Sequence, residues 1–335
     1  MTSDGRSNPS PPRPARTDDL AADPLALESA PVGEILDFLR GAGRALDALA
    51  EPTLVRFDGD RGFRVIGDTH GDFASARAAL APPGGPPDRP FVAVGDYIDR
   101  STRSEPRPRS LPLGSLWTTL FLIARKLQHP QRIILLQGNH EAARRLPVPG
   151  PTYLRELRDR FPRDEALALW RATFEVVERL PLAALSSNGV FLAHGGIPPP
   201  DSPPVEGWRR DDPGLLEGLV WSDPANAYED RGVGFPFSEA ELTRFLGSVS
   251  ANVLLRGHDP KHSGISLYRG TCLTLQTSDL FRRFGHGGIL RAEVPPLPRI
   301  AGAEAIAVEE LVDGAWRPYE VRVVGAARAP PGGAV

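Results

Sequence analysis

The segment Gly67-Asp68-Thr69-His70-Gly71 follows directly after the strand-like run Phe63–Ile66. Four more short segments combine glycine with potential ligand residues: GDYIDR at 95–100, GNHE at 138–141, HGG at 194–196 and RGH at 256–258. The first four of the five close or follow an apolar run, so their polar side chains lie where predicted strands end. Open α/β sheets place their ligands at this edge. One such segment is weak evidence, but five in a consistent order predict a single site.

These segments contain the side chains of a site for two divalent cations. Asp68 and His70 are two residues apart, so at a strand end they point to the same side and can chelate one ion. Asp96 ends the next predicted strand and can bridge two ions. The second ion has a neutral oxygen and two imidazoles available: Asn139, His194 and His258. This mixed N and O set suits Mn, Fe or Zn better than Ca. We expect two divalent ions, with Mn²⁺ in vitro and Fe or Zn as alternatives.

Two such ions, about 3.5–4 Å apart, would hold a bridging water and clamp both the attacking and the leaving oxygen of a phosphate ester. Arg100 follows the Asp99 of the second segment, where its guanidinium can grip phosphate oxygens in bidentate fashion. His140 lies beside a ligand without needing to be one. Its position suits a general acid that protonates the departing alkoxide, with Asp99 orienting the imidazole and raising its pKa.

The segments GDTHG, GDYIDR, GNHE and HGG resemble the phosphoprotein phosphatase family of metal-dependent serine/threonine phosphatases, which includes calcineurin. Further matches are LVWSDP at 219–224, DRGVGF at 230–235 and LRGH at 255–258. Together they extend in family order from about residue 46 to about residue 294. The resemblance implies an α/β metallophosphoesterase fold, in which a central β-sandwich of mixed sheets is flanked by helices and the metals lie at the strand ends.

The resemblance also implies a role for each matching residue. It assigns Asp68, His70 and Asp96 to one metal. It assigns four residues to the other metal, with Asp96 shared between the two: Asp96, Asn139, His194 and His258. His140 becomes the proton donor with Asp99 as its partner, and the phosphate contacts are Arg100, Arg231 and Asn139. The implied reaction is direct hydrolysis of phosphoserine or phosphothreonine in a phosphoprotein or phosphopeptide by the bridging hydroxide.

Three departures from the family pattern bear on substrate preference and partner docking. Ser101 replaces the usual Gly and opens a Pro- and Arg-rich loop, and Gln137 stands where Arg is common. TSDLF at 277–281 replaces Ser-Ala-Pro-Asn-Tyr, so an active-site tyrosine hydroxyl is expected to be missing. An alternative is therefore a small-molecule or nucleotide phosphoesterase of the same superfamily, such as a dinucleoside polyphosphate hydrolase. A second alternative is an inactive scaffold that binds partners through its tails and the 101–115 loop.

Composition and the positions of glycine and turn residues predict the domain organisation. Residues 1–30 are expected to be a flexible tail, 31–300 the catalytic domain, 301–326 a C-terminal β-hairpin extension around Asp313-Gly314, and 327–335 a disordered tail. Within the domain, Gly41 and Gly43 are expected to divide two helices. The runs 53–57 and 62–66 flank Asp58-Gly59-Asp60, which is a hairpin signal.

Bulk properties exclude several classes of function. A net charge of −3 over 335 residues gives no general attraction to nucleic acid or to an anionic membrane. No apolar run is long enough to span a bilayer and the first residues lack the core of a secretory signal, so a cytoplasmic location is expected. The single cysteine, Cys272, excludes an internal disulfide and a thiolate metal cage, and is expected to be a buried apolar residue. The sequence assigns no regulatory partner.

Overall fold

Two mixed β-sheets and two layers of helices make up the computed structural model, which describes residues 13–80, 89–100, 114–284 and 288–325. The α-helices within these ranges are α1 Thr17–Ala22, α2 Val32–Leu49, α3 Phe73–Leu80, α4 Gly114–Gln128, α5 Tyr153–Arg158, α6 Arg163–Val177, α7 Pro213–Trp221 and α8 Glu239–Ser248. No helix in the described ranges is both long and apolar enough to cross a bilayer.

The strands in the described residues are, in chain order, β1 Leu54–Phe57, β2 Phe63–Ile66, β3 Phe91–Ala93, β4 Ile133–Leu135, β5 Ala183–Ser186, β6 Val190–Ala193, β7 Asp223–Pro224, β8 Pro236–Phe237, β9 Val253–Arg256, β10 Ile265–Leu267, β11 Cys272–Thr274, β12 Leu290–Val294, β13 Ala307–Val312, β14 Ala315–Tyr319 and β15 Arg322–Val323. One sheet has the order β1-β5-β6-β9-β11-β10-β15 and the other β14-β13-β12-β2-β3-β4. Strands β7 and β8 form a separate pair.

The two larger sheets pack face to face. Val65 and Val92 of the six-stranded sheet share one buried apolar cluster with Leu192 and Leu255 of the seven-stranded sheet. The outer face of the six-stranded sheet is covered by α1 to α6, and that of the seven-stranded sheet by α7 and α8. Because β3, β4, β5, β6 and β9 are buried on both faces, these strands read as short apolar runs. The predicted fold, a β-sandwich of mixed sheets flanked by helices, is confirmed.

The predicted hairpin of 53–57 and 62–66 is wrong. Strand β1 pairs in parallel with β5 in the seven-stranded sheet, whereas β2 lies between β3 and β12 in the other sheet. Residues 58–62 therefore turn from one sheet to the other. Local turn residues are the same for a hairpin and for a corner between sheets, so only the strand partners distinguish the two.

The predicted helix break at Gly41 and Gly43 is also wrong, because α2 is continuous. A side chain at Gly41 would place its Cβ 2.6 Å from the Cβ of Pro14. The glycine therefore lets the N-terminal segment lie against the helix, which compensates for its weak helix propensity.

Residues 13–30, which the composition predicts to be part of a flexible tail, instead pack onto the helical layer. Helix α1 packs against α4, and Leu20 and Leu27 are fully buried in the core beneath the six-stranded sheet. A few leucines spaced along a polar segment are enough to anchor it. The predictions for residues 1–12, for residues 101–113 of the 101–115 loop and for the 327–335 tail fall outside the described part of the chain.

The C-terminal hairpin forms around Asp313-Gly314, where both residues have positive φ as a tight hairpin turn requires. Its first strand, β13, pairs with β12, so the hairpin continues the six-stranded sheet. Strand β15 then joins the edge of the other sheet beside β10. Cys272 is buried on β11, as expected.

Candidate active site

The five segments meet at one edge of the sandwich. Each follows the end of a strand, in the order β2, β3, β4, β6 and β9. The predicted ligands all lie below a tenth of their full exposure: Asp68, His70, Asp96, Asn139, His194 and His258. Among the described residues, two groups bring carboxylate and imidazole atoms within 4.8 Å of one another: His70, Asp96 and His140, and Asp68, Asp96 and His194. Asp96 belongs to both groups.

Asp68, His70 and Asp96, which we term the carboxylate half, converge through one ring nitrogen. His70 Nε2 lies 3.7 Å from Asp68 Oδ2 and 3.5 Å from Asp96 Oδ2. The opposite ring nitrogen, Nδ1, lies 2.9 Å from the carbonyl oxygen of Ile98. This backbone contact fixes the tautomer and presents the lone pair of Nε2 to the carboxylates, as a second-shell partner does in metal sites.

Asn139, His194 and His258, which we term the imidazole half, converge on the Asn139 amide. His194 Nε2 is 2.8 Å and His258 Nδ1 is 3.1 Å from Asn139 Oδ1, and His194 Nε2 is 3.4 Å from Asp96 Oδ2. The amide can face this point with its oxygen, as a metal ligand would, or with its NH₂ group donating to both rings and to Asp96.

The spacing of these atoms fits a pair of divalent cations. Metal–ligand bonds of about 2.0–2.2 Å separate neighbouring ligand atoms by about 2.8–3.6 Å in tetrahedral or octahedral sites. The distances among the imidazole nitrogens, the amide oxygen and Asp96 lie in or close to this range. Carboxylate, imidazole and amide ligands together suit Mn, Fe or Zn. The residues present therefore fit two ions that share Asp96.

Burial and neighbouring charges separate the pKa values of the site histidines. Burial raises the pKa of Asp68 to about 6 and lowers that of His70 to about 3. Burial also lowers the pKa of His258, which the nearby cationic groups lower further. Burial opposes a charge on His194 as well, but Asp96 and Asp68 outweigh it and raise that pKa to about 9. His70 and His258 are thus neutral bases at pH 7, and His194 carries a proton that a bound cation would displace.

His140 and Asp99 form a buried pair beside the carboxylate half. His140 Nδ1 lies 2.6 Å from Asp99 Oδ2, while Asp99 Oδ1 accepts the backbone N–H groups of Thr152 at 2.7 Å and Tyr153 at 2.6 Å. Burial would lower the pKa of His140, but Asp96 and Asp99 together raise it. The other ring nitrogen, Nε2, lies 3.4 Å from Arg100 Nη2 and 3.9 Å from Asp96 Oδ2.

Arg231 lies against the imidazole half. Its Nη1 is 2.6 Å from His258 Nε2 and 3.2 Å from Asp223 Oδ2. Asp223 also accepts a 2.6 Å hydrogen bond from the fully buried Arg256. Sequence reasoning missed Asp223 and Arg256 as functional residues, although both lie in quoted motifs. Their spacing in the chain does not show that they pair.

Glu141 was also missed. Its carboxylate accepts three backbone N–H groups, from Asp96 at 2.7 Å, Tyr97 at 2.8 Å and Gly138 at 2.8 Å. It therefore ties the loop after β3 to the loop after β4. Its place in the GNHE segment, three residues after Gly138, was the signal that could have identified it.

Backbone conformation at the site is unusual. Of eleven non-glycine residues with positive φ in the described chain, five belong to the motifs: His70, Asp96, Asp99, Arg100 and His258. Such conformations cost free energy and concentrate at functional sites. Gly95 also has positive φ, and a Cβ there would lie 2.4 Å from the backbone nitrogen of Gly138. The loops after β3 and β4 can approach each other only because this residue is glycine.

Gln137 and Thr277, two of the residues that depart from the family pattern, lie in the described part of the chain and make structural hydrogen bonds. Gln137 donates to the carbonyl oxygens of Glu178 and Leu180 and accepts from Arg145. Thr277 accepts the backbone N–H of Gly67 and donates to the carbonyl of Leu290. Ser101 and the side chain of Phe281 lie outside the described residues.

Comparisons with known proteins bear on the family and the fold. The family model of calcineurin-like phosphoesterases matches residues 63–262. A protein serine/threonine phosphatase from Saccharomyces cerevisiae with similarity to human phosphatase PP5 superposes with a TM-score of 0.64 at 21% identity, covering 92% of this chain and 95% of that one. A cold-active protein-tyrosine phosphatase from a psychrophilic Shewanella species gives 0.47 at 16% identity, covering 80% and 82%.

Proposed function

Because the chain belongs to the calcineurin-like phosphoesterase family, we propose that it is a metal-dependent phosphatase acting on phosphoserine and phosphothreonine in proteins. The observation that carries the proposal is the Asp99–His140 pair, which lies beside the shared Asp96 and next to Arg100. A candidate proton donor, a candidate site for two metal ions and a cation suited to phosphate thus lie together at one buried edge of the sandwich.

Divalent ions held by the two halves would supply a water of lowered pKa and neutralise charge on the phosphoryl oxygens. Arg100 and Arg231 approach the site from opposite halves, and their guanidinium groups orient the phosphate between them. His140, with a proton on Nε2, gives that proton to the leaving serine or threonine oxygen. Asp99 holds Nδ1–H and stabilises the charged ring until transfer.

The protein-phosphatase branch is supported by residues beyond the shared metal motifs. The segments at 219–224, 230–235 and 255–258 place Asp223, Arg231 and Arg256 in one chain of ion pairs behind His258. These segments are the part of the resemblance that the wider superfamily does not share. The divergent 277–281 segment keeps a nucleotide hydrolase as the alternative.

The test is phosphate release from matched phosphoserine, phosphothreonine and phosphotyrosine peptides, alongside diadenosine tetraphosphate, by protein loaded with Mn²⁺ and analysed for metal. We expect the first two peptides to be hydrolysed best and His140→Asn to lose the activity. Preferential turnover of the dinucleotide would favour the alternative. Tight phosphopeptide binding without any phosphate release would indicate a scaffold.

A further inference from the structure

Gln276 is a buried polar residue beside the carboxylate half that the proposed mechanism does not use. It follows β11 by two residues and is fully inaccessible to solvent. Neither its amide nitrogen nor its amide oxygen has a hydrogen-bond partner of good geometry in the described residues. Burying an unpaired amide is costly, so an amide at this position indicates a hydrogen bond that forms when the neighbouring site is occupied.

The backbone places Gln276 next to Asp68. The two residues form a parallel bridge between the ends of β11 and β2, and Thr277 N donates to the Asp68 carbonyl at 2.9 Å. Residues paired in this way direct their side chains to the same side of the sheet.

The chemistry of an amide suits this position. Asp68 Oδ1 already accepts the backbone N–H of His258 at 3.0 Å, so a second donor would fix the carboxylate in one orientation. A lysine or arginine could also donate, but its full positive charge would repel a bound cation. A neutral amide holds the carboxylate without that repulsion.

We propose that Gln276 is a positioning residue that orients Asp68 for metal binding and sets the affinity of the carboxylate half for its ion. The inference rests on the proposed function, because it requires that the site hold metal. It concerns the affinity of one half only.

The experiment titrates metal-free, full-length protein with Mn²⁺ in a calorimeter. Gln276→Met and Gln276→Leu replace the amide-bearing side chain with an apolar side chain of similar size. Asp68→Asn identifies which binding step belongs to the carboxylate half. The matched control is Thr274→Val, which removes a different buried polar group without a partner, the Thr274 hydroxyl, two residues before Gln276.

Both Gln276 variants should bind Mn²⁺ about 10- to 100-fold more weakly at the carboxylate half, and within about twofold of wild type at the imidazole half. The midpoint of thermal unfolding of the metal-free protein should be unchanged or higher, because an unpaired amide has been removed. Thr274→Val should match wild type in both measurements.

Unchanged binding at both halves in the Gln276 variants, while the wild type holds two ions, overturns this inference alone. An equal loss at both halves with a lower unfolding midpoint also overturns it, because that pattern indicates general damage to the fold. Wild-type protein that binds no Mn²⁺ overturns the inference and the proposed function together.

Discussion

The two halves of the site are supported from behind in different ways. The carboxylate half has backbone N–H and C=O groups around it, and the neutral Gln276 pairs with Asp68 through the backbone. The imidazole half is backed by charge, since Arg231 and the buried Arg256 both bond Asp223 next to His258. Apart from the shared Asp96, whose N–H donates to the Glu141 carboxylate, neutral dipoles hold the first half, and ion pairs support the His258 side of the second.

This difference follows from the charge that each half supplies. Two carboxylates give the first half its own attraction for a cation, so neutral supports are sufficient. The second half has neutral ligands and borrows the charge of Asp96. Its supporting arginines are offset by Asp223, and part of the Arg231 side chain stays exposed, as the proposed phosphate contact requires. The halves therefore depend on each other through Asp96. A substitution in the residues that support one half should leave the other half unaffected.

Asp96→Asn should have the largest effect, because it removes the one residue on which both halves rely. We expect both metals to be lost together and turnover to fall by about 10⁴-fold, since metal activation supplies several kcal/mol. Metal analysis after gel filtration is the measurement. Asp68→Asn is the contrast, and should cost the ion of the carboxylate half alone. Retention of two full equivalents by Asp96→Asn would disprove the sharing.

Asp223→Asn tests the ion-pair support of the imidazole half. It leaves the fully buried Arg256 without its carboxylate partner, and breaking a buried pair in this way costs about 3–5 kcal/mol of unfolding free energy. Urea unfolding of the metal-free protein measures the loss. Asp211→Asn breaks an exposed pair with Arg209 and should leave stability unchanged. A loss as small as that of the control would show that the pair is not needed.

His140→Asn should leave both halves intact and remove only proton transfer. We expect kcat to fall by about 100-fold or more, as for the loss of a general acid, with two equivalents of metal retained. Turnover of a substrate with a good leaving group, such as p-nitrophenyl phosphate, should fall less, because that oxygen needs no proton. Unchanged kcat on phosphopeptides would exclude His140 from the mechanism.

The convergence of the candidate ligand residues could be predicted because the information is local. Each lies within a few residues of an apolar strand, and strand ends in this class of sheet meet at one edge. Asp68, Asp96 and His194 are therefore found from the strand pattern and residue type alone. The order of the motifs then gives the fold, which the structure confirms.

The supports could not be predicted because they depend on pairing between distant residues. Asp223 and Arg256 are separated by 33 positions and Gln276 and Asp68 by more than 200, and no periodicity links them. The same limit explains the wrong hairpin, since β1 finds its partner β5 far along the chain. Leu20 in α1 shows a further case, where a few apolar residues in a polar segment are buried by tertiary contacts.

Asp99→Asn should have the smallest effect and appear mainly in the pH profile. Asp99 helps to raise the pKa of His140, so its neutralisation should lower that pKa. A general acid works only while protonated, and the alkaline limb of the kcat profile should therefore move to lower pH. At a pH above that limb we expect about a tenfold loss, which is the order of one charge-assisted hydrogen bond. Because Asp99 contacts neither half directly, both metals should remain bound. An alkaline limb that stays in place would show that another group donates the proton.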